Sequence, residues 1–248
     1  MFDNMFLFVL LALIAEIIGT ISGFGSSILF VPLASLFFDF KTVLGITAVF
    51  HVFSNISKII LFRQGIDRQI ALRLGIPAVL CVIPGAWLTA FVPARQMELL
   101  MNIVLLLLSV YLAFNFNRTL KQSNFNLYAG GASSGFLAGL VGTGGAIRGL
   151  TLVAFNLPKT IFIATSALID LGVDSARAAI YLGNGYFRRE LFFLVPLLLL
   201  VGILGSYLGK RILRHTSETL FRYVVLFTII GTSLFEMLKY FSASGTGL

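Results

Sequence analysis

Cysteine is nearly missing from this 248-residue chain: Cys81 is its single thiol, so no disulfide can close within it and no cysteine cluster can hold zinc. Histidine is almost as scarce. With only His51 and His215 present, a metalloenzyme lacks a ligand set, and no metal or other cofactor is expected. Acids are few as well, 10 against 18 basic residues, and charged residues make up only 11% of the chain. The opening segment MFDNMFLFVLLALIAEIIGT lacks the basic n-region and small-residue cleavage site of a signal peptide, so it is expected to belong to the mature fold. Asp3 and the absence of early Lys or Arg also argue against a cytoplasmic N-terminus.

What the chain has instead is apolar length. Hydrophobic residues make up 58% of it, its mean hydropathy is +0.99, and the apolar residues fall in successive runs such as Leu74 to Val92, Leu99 to Phe116, Leu191 to Leu208 and Phe221 to Leu238. A bilayer span needs about 20 largely apolar residues, and the connections here are too short for a soluble domain. The sequence therefore predicts an all-α, polytopic helical membrane protein with the lipid bilayer as one partner. The formal charge of +8 is spread over short loops beside hydrophobic segments. Orientation in the membrane accounts for most of it, and no nucleic-acid partner is expected.

The stretch Gly139 to Gly149, GLVGTGGAIRG, breaks the apolar pattern with clustered glycines and an arginine. Glycine costs roughly 1 kcal/mol in a helix interior relative to alanine, so the cluster predicts a helix that stops and restarts. A restart at Ala146 would direct free N–H groups and a positive dipole end into the break, where anions bind. Arg148 would sit in the first turn of the restarted helix, and an arginine at membrane depth marks a site. The plainer alternative is that the glycines let helix backbones approach and Arg148 snorkels to the headgroups. Coincidence of break and charge favours the site.

The pattern occurs twice. Met5 to Thr20, the polar Ser22-Gly23-Phe24-Gly25-Ser26-Ser27 and Ile28 to Phe38 predict two short helices around a break; helices follow near Thr42 to Phe62, Ile70 to Val92 and Met97 to Phe116. After the polar divider Asn115 to Asn126 come Tyr128 to Val141, a glycine break, Ile147 to Leu157, and helices near Thr160 to Leu182, Leu191 to Arg211 and Thr219 to Tyr240. A shift of 119 aligns Gly23 with Gly142, Gly25 with Gly144 and Pro77 with Pro196; one insertion brings Gly65 onto Gly185 and Gly85 onto Gly205. The expected organisation is a first repeat at 1–116, a linker at 117–127 and a second repeat at 128–248.

Charge tests the topology. If each broken segment is a re-entrant hairpin or a pair of short spans, followed by three spans, the repeats are inverted. One side then receives Arg63, Arg68, Arg73, Arg118, Lys121, Lys159, Lys210, Arg211 and Arg214, the other Lys41, Arg95, Arg188, Arg189 and Lys239, nine against five. A single crossing per broken segment divides the same residues eight against six. The positive-inside rule thus favours inverted repeats with both termini outside.

The same shift sets His51, Asn55 and Lys58 against Asp170, Asp174 and Arg177, each trio at i, i+4 and i+7 on one helical face. Two facing polar stripes beside broken helices suit a carrier of small anions. The candidate substrate-binding set is Gly23, Gly25, Ser26, Asn55, Lys58, Gly142, Thr143, Gly144, Gly145, Arg148 and Arg177, the last two suited to forked recognition of oxyanions. His51, Asp170 and Asp174 are the groups able to handle protons. A structural Asp174–Arg177 pair and a snorkelling Lys58 are the plainer readings. Glu16, isolated in the first apolar run, either pairs with a buried base or faces a cavity. Thr47, Ser54, Thr165 and Ser166 suit interhelical hydrogen bonds or substrate contact alike, and Glu236 and His215 are placed at interfaces.

The duplicated glycine motif, with Val31-Pro32 after the first copy and the basic Arg63-Gln64-Gly65-Ile66-Asp67 loop after the next span, resembles the TauE/SafE sulfite exporter family over nearly the whole chain. The resemblance implies a bacterial inner-membrane, multi-pass permease of two repeats that moves small sulfur-containing or organic anions, typically outward, and is not an enzyme. Two residues depart from the family pattern: Thr151 stands where the first repeat has Pro32, and Arg148 takes a position that is commonly apolar. The expectation is a secondary transporter of sulfite or an organosulfur or organic acid anion. A passive anion channel is the alternative. An intramembrane serine enzyme would need a base aimed at Ser26 or Ser27, for which His51 is the one candidate. Association into a homodimer is left open.

Overall fold

The computed structural model describes residues 5–63, 65–114, 122–153, 155 and 157–215, with 217, 220, 223, 227, 230, 231, 234 and 238 beyond them. Asp3, Gln64, the divider at 115–121 with Arg118 and Lys121, and most of the expected helix at 219–240 with Glu236 and Lys239 lie outside the described residues.

The described elements are helical: α1 (Met5–Ser22), α2 (Ser27–Ala34), α3 (Phe40–Leu61), α4 (Arg68–Leu88), α5 (Ala94–Phe114), α6 (Asn124–Val141), α7 (Gly145–Val153), α8 (Lys159–Gly183) and α9 (Leu194–Leu213), with a 3-10 turn at Arg189–Leu191. Helices α1, α3, α4 and α9 are long and apolar enough to cross a membrane. The chain is a polytopic helical membrane protein.

Local chemistry sets several helix starts. Asp39 accepts the N–H of Thr42 at 3.1 Å, Asp67 that of Ile70 at 2.9 Å and Ser123 that of Asn126 at 3.2 Å, each satisfying an otherwise orphaned first-turn donor. Helix α9 starts at Leu194 rather than at Leu191. That start keeps Pro196 in the first turn, where its missing N–H costs no helical bond.

Adding 119 to both bounds of α1 gives the bounds of α6, and adding it to the start of α3 gives the start of α8. Packing follows the same exchange: α4 lies on α6 as α9 lies on α1, α4 lies on α8 as α9 lies on α3, and α3 meets α8 directly. Directions can be read from the contacts. Gly131, Gly135 and Gly139 of α6 climb past Leu74, Ala78 and Val82 of α4, so these two run parallel. Helices α3 and α8 run antiparallel: Asn55 meets Asp174, His51 four residues earlier meets Arg177, and Asp67 beyond the end of α3 meets Thr165.

Helix lengths define the broken segments. The 8 residues of α2 and 9 of α7 reach about 12–14 Å, well short of a bilayer's hydrocarbon core of about 30 Å. In the first repeat the chain returns to where it entered: the Phe8 ring near the start of α1 lies 5.9 Å from Phe30, 5.6 Å from Phe37 and 5.3 Å from Phe38. The two arms of this broken segment thus fold back on each other as a helical hairpin.

The α4–α6 seam depends on absent side chains. A Cβ on Gly135 would overlap the backbone of Ala78, which cannot yield as a flexible side chain would. Gly135→Ala should therefore lower stability by about 1–3 kcal/mol, measured by denaturant titration in detergent, whereas Gly183→Ala, with open space around it, should leave it unchanged.

Candidate functional site

Two helix breaks meet at the centre. Helix α6 stops at Gly142, whose left-handed φ of 81° and N–H bond to Ala138 O form its C-cap. A Cβ on Gly145 would overlap the carbonyl oxygen of Phe24, so the second break packs directly on the first. Ser27 Oγ and Thr143 Oγ1, 3.4 Å apart, link the two again.

Helix α8 holds this junction. Arg177 Nη1 donates to Ala138 O at 3.2 Å and Gly142 O at 2.8 Å, and Tyr181 donates to Gly139 O, so the carbonyl end of α6 is satisfied by two side chains of α8. Arg177 spends its remaining donors on Asp174, through Nε and Nη2 at 2.7 Å each, and on His51 Nδ1 at 3.2 Å. All five of its N–H groups are engaged. The arginine expected to contact an anion is, in this conformation, the brace of the break.

The two trios face one another, with Asn55 Nδ2 donating to Asp174 Oδ2 at 2.7 Å. Three buried ion pairs result. Arg177 pairs with Asp174, Arg148 with Asp170, and Lys58 Nζ with Glu16 Oε1 at 2.8 Å. Lys58 does not snorkel; it lies buried at the acid for which the sequence offered no partner. Glu16 accepts further from Ser26 and Ser54 at 2.6 Å, Ser206 at 2.9 Å and Thr20 at 3.2 Å. Sequence reasoning missed this cage. Glu16 alone signalled it, because the hydroxyls come from four different helical contexts and form no pattern.

His51 connects the pairs. Its Nδ1 faces a guanidinium and must accept, so Nε2 carries the proton and donates to Ser26 Oγ at 2.9 Å, while Ser26 donates to Glu16. The Ser26–His51 contact is thus a link in a chain from Arg177 to Glu16. In this chain the histidine donates to the serine rather than taking its proton, the reverse of what a nucleophilic serine requires.

A cavity of about 20 Å³ lies among these groups, lined by Gly25, Ser26, Asn55, Lys58, Gly142, Gly144, Gly145, Arg148, Arg177, His51, Asp170 and Asp174, together with Ser27, Ala138 and Val173. Of the expected residues, Gly23 and Thr143 do not line it: Gly23 O accepts from Ser166 Oγ at 3.4 Å, and Ser166 Oγ in turn accepts the N–H of Arg148 Nε at 3.0 Å. Gly25 is required by its left-handed φ of 86°; a Cβ there would make ordinary contact with Arg148 Nη2 and Asp170 Oδ2, at 3.7 and 3.9 Å. The volume suffices for about one water molecule. Larger cavities open at the two ends of α3. One, about 820 Å³, is bordered by Arg63, Lys159, Lys210 and Arg214; the other, about 400 Å³, by Asp39, Thr42, Arg188 and Glu190.

The family model for the sulfite exporter TauE/SafE matches residues 8–235. The chain belongs to the TauE/SafE sulfite exporter family. Comparison with curated proteins and with solved structures yields no match to either. The matched segment includes every residue that lines the central cavity. As a member of this membrane family with several apolar helices, the protein is a multi-pass membrane protein.

The Lys58–Glu16 pair, with side chains 5% and 0% exposed, gives a direct stability test. Lys58→Met strands a buried carboxylate and should cost about 3–5 kcal/mol. Adding Glu16→Gln should recover much of it, in a double-mutant cycle read by thermal unfolding in detergent.

Proposed function

We propose that this protein is a secondary transporter of small anions, sulfite or an organosulfur or organic acid anion, built as two inverted repeats and working by alternating access in the bacterial inner membrane. The single observation that carries the reading is the small cavity where the two helix breaks meet, lined by Lys58, Arg148 and Arg177 together with Asp170 and Asp174. Crossed helix breaks near the midplane are where carriers hold their substrates. The antiparallel contact of α3 and α8 at the equivalent residues Asn55 and Asp174 supports the inversion.

The wider cavities at each end of α3 supply the two approaches. Arg63, Lys159, Lys210 and Arg214 surround the larger one, on the side that the positive-inside rule makes cytoplasmic. An anion drawn to that basic mouth would reach the centre from inside. There Arg148 is the direct ligand we assign, with backbone N–H groups of the restarted helices beside it. Asn55, Lys58 and Arg177 hold the surrounding frame, and Asp170 and Asp174 are the groups for proton coupling.

Purified protein in proteoliposomes should accumulate labelled sulfite saturably and show counterflow, which an open channel does not. Arg148→Ala, verified as folded by size-exclusion profile, should abolish uptake; unchanged kinetics would remove Arg148 from the site, and flux without counterflow would favour the channel.

A further inference from the structure

Charge balance at the centre constrains what can enter with the substrate. Glu16, Asp170 and Asp174 face Lys58, Arg148 and Arg177 one to one, and His51, accepting from Arg177 and donating to Ser26, is neutral. The buried assembly carries no net charge. An anion closed into it alone would leave one uncompensated negative charge away from water, which proteins avoid by neutralising a group.

The three carboxylates are not equally held. Glu16 accepts from four hydroxyls and an ammonium, and Asp174 from Arg177 and Asn55. Asp170 has Arg148 as its ion-pair partner, and its side chain is 13% exposed, against 5% for Asp174 and 0% for Glu16. It also lies where space is lacking. The cavity of about 20 Å³ cannot take an oxyanion while the Asp170 carboxylate occupies Arg148.

Resting on the transporter reading above, we infer that Asp170 is the exchangeable carboxylate: the anion replaces it on Arg148 while Asp170 takes up one proton, so a monoanion crosses with one proton and no net charge. The step balances. One ion pair is exchanged for another, the proton ends on a carboxyl oxygen of Asp170, and no other bond changes. The groups facing Asp170 are Arg148 from α7, His51 and Lys58 from α3, and Asp174 and Arg177 on its own helix; Glu16 of α1 stands behind Lys58. Helix α4 meets this level of α8 through Gly75 and Val79, which do not titrate. A dianion would leave the centre at one negative charge even after protonation. The site therefore selects monoanions with forked oxygens, such as hydrogen sulfite, an alkylsulfonate or a carboxylate, over sulfate.

The test uses wild-type protein in proteoliposomes with labelled sulfite at mildly acidic pH, where it is largely hydrogen sulfite, and with methanesulfonate and sulfate as competitors. An inward proton gradient should raise uptake several-fold, a voltage set by a potassium gradient and valinomycin should leave it unchanged, and sulfate should compete at least tenfold less well than methanesulfonate. Asp170→Asn fixes the empty centre at one positive charge, so an anion neutralises it; gradient-driven uptake should be lost while sulfite counterflow persists. Voltage-driven uptake by the wild type, or an intact gradient response in Asp170→Asn, would overturn the inference and leave the transporter reading standing. Should the variant fail to fold, the wild-type voltage response decides alone. Absence of any flux or counterflow from folded wild type would overturn the transporter reading itself, and this inference with it.

Discussion

A guanidinium taken out of water must place five N–H groups on acceptors, and the centre of this protein is arranged around that requirement at Arg177. Its partners come from three elements: Asp174 on α8, His51 on α3, and the carbonyls of Ala138 and Gly142 at the end of α6. Each solves a second problem. The carbonyls are the orphaned acceptors of a helix that stops inside the protein, and an arginine there offsets the negative end of the α6 dipole. His51 is fixed in one tautomer by the same contact, and that tautomer orients Ser26 toward Glu16. A helix break at membrane depth is tolerated because protein groups, not lipid, meet its backbone.

The scaffold is duplicated more faithfully than its chemistry. The bounds of α1 and α6, the starts of α3 and α8, the packing pairs and the left-handed glycines Gly23 and Gly142 obey the same shift. Lys58 and Arg177 obey it too, but other functional positions do not match: Glu16 corresponds to Gly135, Ser26 to Gly145, His51 to Asp170 and Leu29 to Arg148. In the first repeat an acid sits on the long arm of the hairpin and is caged by hydroxyls. In the second, a base sits on the short arm and is held by a carboxylate and Ser166. The two hairpins therefore carry opposite charges, and each is balanced within its own repeat, Glu16 by Lys58 and Arg148 by Asp170.

Much of this was legible from the chain because it is periodic or local. Apolar runs of span length, glycine pairs 119 residues apart and trios at i, i+4 and i+7 need no knowledge of tertiary contacts, and the Asp174–Arg177 pair is readable from its spacing alone. The pairing of Lys58 with Glu16 was not, since it joins residues 42 apart through helices whose rotation the sequence leaves open. Nor was the use of Arg177 as a helix-end brace: a sequence shows that a charge is buried, but not whether its donors point at a cavity or at backbone. The hydroxyls of Ser54 and Ser206 are the extreme case, ordinary small polar residues whose meaning depends on a carboxylate supplied by another helix.

Glycine shows most plainly how one residue type answers different physical demands within a few positions. Gly139 lets α6 lie against the backbone of Val82 and Ala86, which is close packing of the kind any membrane helix pair uses. Three residues on, Gly142 is required by backbone angle, because the chain turns there in a left-handed conformation. Gly145 is required by a neighbour, the carbonyl of Phe24, and Gly149 by the Phe24 ring. The glycines of this stretch therefore serve close packing and the helix break alike, at different positions. Since a hairpin whose turn is fixed by steric absence cannot accept even a methyl group, the junction between the two breaks is rigid at its backbone. What remains adjustable around the cavity is the side chains, and among them the ion pair of Arg148 and Asp170 is the one with the fewest other restraints.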